Sequence, residues 1–332
     1  MSLTPGTFPY HPAEMDLPQR LHSLTPHQRT MLQNFETSLQ PLDIVHLKMP
    51  SESNASCLLR ILRGEKFDLA AAQKRANELI SWREEHQIHQ NLTTPVTEMV
   101  FGDQLTLDDI LPLYPYGAKG TDRQGRPIVY KQMGQLDYNI LSKDTRFATP
   151  QRTNIENLVL WEATAAARLM HYILPQCTVD SQYHVENYVG IIDLNGLGIN
   201  NPNWWTNFTK ELKDLLLSGI KVCSEQFPDT LGVMFIINAP LSFNVAWGII
   251  SKFLDSVTVA KIKNVGVGKL KEFIDPDMLP IEYGGTGLEG LVLPMFSCLD
   301  PPPFLSLFSA TLFPPRLQIL SYSSYHCGQH QA

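Results

Sequence analysis

The chain has 332 residues, 43% of them hydrophobic, enough for one large domain or two ordinary ones around a substantial core. A formal charge of −7 argues against a general nucleic-acid binder, which needs a basic face against phosphates. Five scattered cysteines without a CxxC pair read as reduced thiols of a cytoplasmic protein, and the start, rich in proline and lacking an apolar run, does not read as a signal peptide.

In chain order, residues 1–24 read as a proline-rich tail and residues 25–95 as helical. Leu58, Leu59, Leu62, Ala70, Ala71, Ala76, Leu79 and Ile80 are spaced to pack helices together, and Asp68 is placed to cap the run that begins at Leu69. Thr121 to Pro127 is a turn cluster that leads into a short strand at Ile128–Tyr130. Helical spacing runs from 151 to 174, where Pro175 is expected to stop it. An apolar strand follows at 188–194, then a helix over 204–225 with Phe208, Leu212, Leu215, Leu216 and Ile220 on one side, then a second apolar strand at 233–237. Apolar strands without alternation, separated by long helices, predict an α/β fold over 96–290 with a mixed, mainly parallel sheet.

Leu231 to Ile250 carries no charge and is long enough to span a bilayer, but Pro240 would break such a helix in the middle. The segment reads better as strand, turn and helix. After Gly290 the chain is apolar and interrupted by prolines. Residues 291–332 read either as a tail lying on the domain or a membrane, or as a poorly ordered end, and the proline spacing favours the second.

The motifs of enzyme chemistry fail on context. Gly285 to Gly290 has the GxGxxG spacing, but Leu291-Val-Leu-Pro294 does not start a helix. Gly266-Val-Gly-Lys269 lacks the hydroxyl residue that a phosphate loop needs at Leu270. His86 and His89 have no third or fourth ligand near them, so no metal is expected. There is no GxSxG and no HExxH.

The segment 241–254 is the informative one. Phe243, Ala246, Trp247, Ile250, Phe253 and Leu254, with Val245 and Ile249, cover more than one face of a helix whose single charge is Lys252. Such a helix is either wholly buried or a lid, with one apolar face on a bound lipid and the other on a bilayer. Beyond it, Thr258 and Lys261 fall close together, as a phosphate site would need; an isolated Lys261 would be an ordinary surface lysine.

These residues, with Leu58 to Asp68, Ser81-Trp-Arg83, Asp122 to Pro127, Ile192-Asp-Leu194, Phe235 to Pro240, Val257 to Ile262 and Leu279 to Gly285, resemble the CRAL-TRIO lipid-binding proteins, the yeast-type phosphatidylinositol/phosphatidylcholine transfer proteins above all. The resemblance implies a helical N-terminal subdomain and a lobe whose sheet floors an apolar pocket gated by the 241–254 helix. It implies a phosphate held by Thr258 and Lys261. Lys66 keeps one of a basic pair whose other position is Glu65, and Asp229 keeps an acidic position whose basic neighbour is replaced by Thr230. The choline-lipid positions, Tyr188, Gly190, Ala118 and Val129, depart from the pattern. The expected protein is a carrier and not an enzyme. It has no cofactor beyond a bound phospholipid, meets membrane surfaces transiently, is cytoplasmic with peripheral membrane association, and binds no nucleic acid. The alternative is a module that senses a tocopherol- or retinoid-like ligand without net transfer.

Overall fold

The computed structural model describes residues 21–287 apart from 22, 89–91, 93–99, 102–103, 137–140, 142, 182, 198–209 and 242. Residues 1–20 of the expected 1–24 tail, the expected tail 291–332, the second histidine at 89, the helix start at 204–209 with Phe208, and Ser242 therefore lie outside the described residues.

Four helices come first: α1 (Pro26–Ser38), α2 (Pro41–Leu47), α3 (Asn54–Gly64) and α4 (Leu69–Glu85). Their starts are fixed locally. Thr25 and Gln28 form a reciprocal capping box at α1, Ser53 accepts from the Ser56 N–H at α3, and Asp68 accepts from the Ala71 N–H at 3.0 Å, the cap expected from sequence. Leu32, Phe35, Leu47, Leu58, Leu62, Ala72, Ala76 and Leu79 form their shared core. Buried arginines join this layer to the rest. Arg60 pairs with Glu52 at 2.8 Å and donates to the Pro228 carbonyl, while Arg83 donates to the carbonyls of Leu47 and Gln226.

The sheet contains β1 (Tyr116–Thr121), β2 (Pro127–Lys131), β3 (Tyr188–Asp193), β4 (Leu231–Ile237) and β5 (Ile262–Asn264), in that spatial order. The β1–β2 pair is antiparallel and the other three pairs are parallel, the mixed, mainly parallel sheet expected. The turn joining β1 to β2 is closed by Asp122, whose carboxylate takes the Arg126 backbone and guanidinium, with Gly125 in the left-handed region at φ 65°.

Between the strands lie α5 (Asn154–Arg168), α6 (Leu174–Ser181) and α7 (Lys210–Gln226); α8 (Phe243–Ile250) and α9 (Ser256–Lys261) follow β4. Two sequence expectations need correction. Pro175 does not end its helix: a π turn at Leu169–Ile173 joins α5 to α6, which runs through the proline to Ser181. The Leu174 N–H reaches back five residues to the Leu169 carbonyl, so the ladder has already shifted by one where the ring has no N–H to give. The helix expected over 241–254 is shorter, with α8 covering 243–250 and a 3-10 turn at Ser251–Phe253.

Alternation along the strands sorts the sheet into two faces. Ile128, Tyr130, Val189, Ile191, Val233, Phe235 and Ile237 pack under Leu270, Ile274, Leu279 and Tyr283 near the end of the described chain. Val129, Lys131, Gly190, Ile192, Met234 and Ile236 border the opposite face, toward a cavity.

Candidate functional site

That second face floors a cavity of about 460 Å³, walled by α7 and α8 and bordered at one end by residues around α3 and α9. Phe243, Trp247, Ile250 and Leu254 line it, as the gate reading expects, and the Phe243 and Trp247 rings stack at 6.3 Å. Ala246 lies on α8, its side chain outside the described residues. Phe253 corrects the expectation: it is 61% exposed and does not line the cavity. It belongs to a stripe spaced by four, Leu241, Val245, Ile249 and Phe253, that faces away from the cavity and is exposed throughout. The helix therefore has two apolar faces with different neighbours.

The mouth of the cavity is polar. Lys66, Asp229, Thr258 and Lys261 all line it, together with Arg63, Glu65 and Asp255. Lys66 and Phe67 turn the chain out of α3 with φ of 55° and 62°, and Asp229 turns it into β4 with φ 55°. Thr258 and Lys261 share one face of α9, whose start is capped by Asp255. The Asp255 carboxylate accepts from the Val257 and Thr258 N–H groups and from the Thr258 hydroxyl. Burial raises the Asp255 carboxyl, but these hydrogen bonds outweigh it and hold the group below its ordinary range.

Lys261 does not stand without an anion. Its ammonium donates to Asp229 at 2.8 Å, and Arg63 donates to the other oxygen of the same carboxylate at 2.8 Å. The resemblance implied a lipid phosphate as the anion beside Lys261; in this structure Asp229 takes that place. Glu65, the departure from the basic pair, is drawn to Arg75 on α4 at 2.8 Å, so its charge is matched. Thr230, the other departure, is buried and donates its hydroxyl to the Phe227 carbonyl.

Of the choline-lipid positions, Tyr188, Gly190 and Val129 line the cavity and Ala118 does not. Sequence reasoning missed a second polar element on the wall. Lys131, the last residue of β2, donates to Glu162 of α5 at 2.6 Å, and both border the cavity. The available signal was an acid inside the apolar run of the 151–174 helix, flanked by Trp161 and Ala163.

Among the described residues, no cluster of three or more His, Cys, Asp or Glu side chains could hold a metal. No described helix is long and apolar enough to cross a membrane. Cys57, Cys177 and Cys223 are free thiols.

A family profile for the CRAL/TRIO domain matches residues 112–285. The Arabidopsis thaliana protein named phosphatidylinositol/phosphatidylcholine transfer protein SFH4 is 32% identical over 244 residues, 73% of this chain and 37% of that protein. The SEC14 cytosolic factor of Kluyveromyces lactis is 30% identical over 233 residues, 69% of this chain and 70% of that protein. The chain spans between 37% and 45% of the length of four plant relatives that it matches. Among solved structures, the crystal structure of Sfh5 aligns with a TM-score of 0.55, 13% identity, and coverage of 85% of this chain and 96% of that one, a likeness of fold.

Proposed function

This chain belongs to the CRAL/TRIO domain family, and on that premise we propose that it binds a phospholipid, with phosphatidylinositol first, in the cavity and exchanges it at membrane surfaces. The observation that carries the reading is the two-faced helix α8. Trp247 and Ile250 face the cavity while Val245 and Ile249 face outward, exposed. A surface helix with an unpartnered apolar face is suited to lie against a bilayer.

The physics requires contact with a membrane. A two-chain lipid carries roughly 30 methylenes, each worth about 0.8 kcal/mol on burial, so release into water is far too slow for exchange. Opening of α8 onto a bilayer removes that barrier because the tails never meet water. Thr258, Lys261 and Lys66 supply a hydroxyl and two cations for a phosphate at the mouth, with Asp229 as the internal anion that the phosphate replaces at Lys261. The protein acts as a carrier rather than a catalyst, in the cytoplasm, meeting membranes transiently.

Mass spectrometry of lipids that co-purify with the chain, paired with transfer of labelled phosphatidylinositol between vesicles, tests this. Bound phosphatidylinositol and measurable transfer support it; an empty cavity and no transfer overturn it. A second reading, a sensor for a hydrophobic ligand of tocopherol or retinoid type without net transfer, is favoured by one observation: Arg63 and Lys261 already have an anion in Asp229.

A further inference from the structure

A pocket meant only for acyl chains has no use for an ion pair in its wall. Lys131 and Glu162 are such a pair, with side chains 21% and 9% exposed. They lie far from the mouth. Lys131 ends β2 in register with Ile192 of β3, which pairs with Ile236 of β4, whereas Asp229 and Lys261 stand before the first residues of β4 and β5. Ile236 pairs in turn with Asn264 of β5, so three strand spacings and three residues along a strand separate Lys131 from Lys261 by roughly 17 Å of sheet. A hydrocarbon chain laid across the pair would cover two charged groups and offer them no hydrogen bond.

The surroundings restrict what can bind there. The Lys131 ammonium sits 5.6 Å and 5.3 Å from the ring centroids of Tyr114 and Tyr116, and among the described residues its one hydrogen bond is to Glu162. Across from Glu162, α7 presents Gly219; a Cβ at that position would stand 3.1 Å from the second carboxylate oxygen, Oε2. Gly219, Glu162 and Lys131 all border the cavity, so the glycine keeps that oxygen uncovered. Burial pushes the Glu162 carboxyl up to about 8 and the Lys131 ammonium down to about 8, so neither charge is favoured at this depth without the other.

We infer that Lys131 and Glu162 form an internal polar subsite that receives the hydroxyl group of an uncharged amphiphile lying head-inward, opposite in direction to a lipid held at the mouth. A hydroxyl is both donor and acceptor. It donates a hydrogen bond to Glu162 and accepts one from Lys131 without separating them. A carboxylate or phosphate would add an unmatched negative charge beside Glu162, and a zwitterionic headgroup would have to split a 2.6 Å contact to match both charges. The inference rests on the reading of the cavity as a lipid site and adds a ligand class to it.

The test uses the delipidated full chain and three pyrene-tagged probes of equal length: dodecanol, its methyl ether and dodecanoic acid. The ether keeps the acceptor and loses the donor. Wild-type protein is expected to bind the alcohol at least ~10-fold more tightly than the ether, the loss that follows when one hydrogen bond to a charged group is removed. It is also expected to bind the alcohol more tightly than the acid at neutral pH. Lys131→Met/Glu162→Leu is expected to bring alcohol and ether within about 2-fold of each other, since replacing both partners leaves no buried charge. Should that variant fail to fold, Gly219→Val, which covers Oε2, is expected to reduce the preference in the same direction. Equal binding of alcohol and ether by wild type, tightest binding of the acid, or a preference that survives these substitutions overturns the inference. Phosphatidylinositol uptake, read on the same wild-type sample, reports on the mouth separately; its failure would count against that reading while the alcohol preference still decides this one.

Discussion

Lys261 and Asp229 hold each other at 2.8 Å across the mouth of the cavity, one at the end of α9 and the other in the turn before β4. Arg63 takes the second carboxylate oxygen and also pairs with the buried Glu186, so two acids answer the two cations. On the proposed reading, a phosphate arriving at the mouth exchanges with Asp229 at Lys261.

Asp229→Asn is expected to leave Arg63 and Lys261 without their shared anion. The side chains are 9–13% exposed, so the loss should be at the lower end for a broken buried pair, about 3 kcal/mol in urea unfolding. Vesicles containing phosphatidylinositol should restore part of it, and vesicles of neutral lipid should not.

Lys261→Ala keeps Asp229 bound to Arg63 and should leave the fold intact. It is expected to lower phosphatidylinositol loading about 10-fold, as loss of one charge-assisted hydrogen bond implies. Equal loading of variant and wild type in a vesicle transfer assay would show that Lys261 does not hold the headgroup.

The outward stripe of α8 should govern membrane contact without governing stability. Val245 and Phe253 are 60% and 61% exposed, so Val245→Asp/Phe253→Asp should leave the melting temperature nearly unchanged. Co-sedimentation with vesicles should fall by at least ~10-fold, since each apolar side chain buried in a membrane contributes about 2 kcal/mol. Trp247 fluorescence should shift on adding vesicles to wild type, and Trp247→Phe should remove the shift.

Acid should loosen α9 through Asp255. A carboxyl held below its unfolded value of 3.8 contributes stability that is present above that pH and is lost as pH falls through the folded value. Hydrogen exchange at the α9 amides should therefore accelerate, relative to the other helices, as pH drops below 3.8. Asp255→Ala should cost about 1 kcal/mol near neutral pH and remove the acid step.

The three described thiols, Cys57, Cys177 and Cys223, should resist alkylation. Burial pushes Cys57 and Cys223 up to about 12 and Cys177 higher still, which leaves little thiolate at pH 8. Iodoacetamide should react with all three more than ~10-fold faster in urea than in the native state. Cys223 borders the cavity, so loading a lipid should slow its labelling further and leave Cys57 unaffected.

Much of this was legible in the sequence because the determinants are local. The apolar runs read at 188–194 and 233–237, which fall on β3 and β4, the Asp68 cap and the proline between β4 and α8 each depend on a few neighbouring residues. β1 was less visible, since Tyr-Gly-Ala-Lys-Gly-Thr has neither alternation nor β-branched density and takes its conformation from pairing with β2. The electrostatic partners were out of reach for another reason. Arg63 and Asp229 are 166 residues apart, and Lys131 and Glu162 are 31 apart on different kinds of element, so no spacing rule joins them. Pro175 misled because a local stop signal was overridden by a one-residue shift in the ladder before it. Phe253 misled because an apolar residue on a two-faced helix does not declare which face it serves.

The left-handed backbone at Lys66, Phe67 and Asp229 has a consequence for how this mouth can change. Valine, isoleucine and threonine fit poorly there whatever their headgroup chemistry, while asparagine, aspartate and glycine fit readily. Retuning the preferred headgroup is therefore easier at positions 258 and 261, where a regular helix accepts almost any side chain, than at 66 and 229. The turns behave as a frame whose residues are restricted by backbone shape, and α9 as the part that can be rewritten.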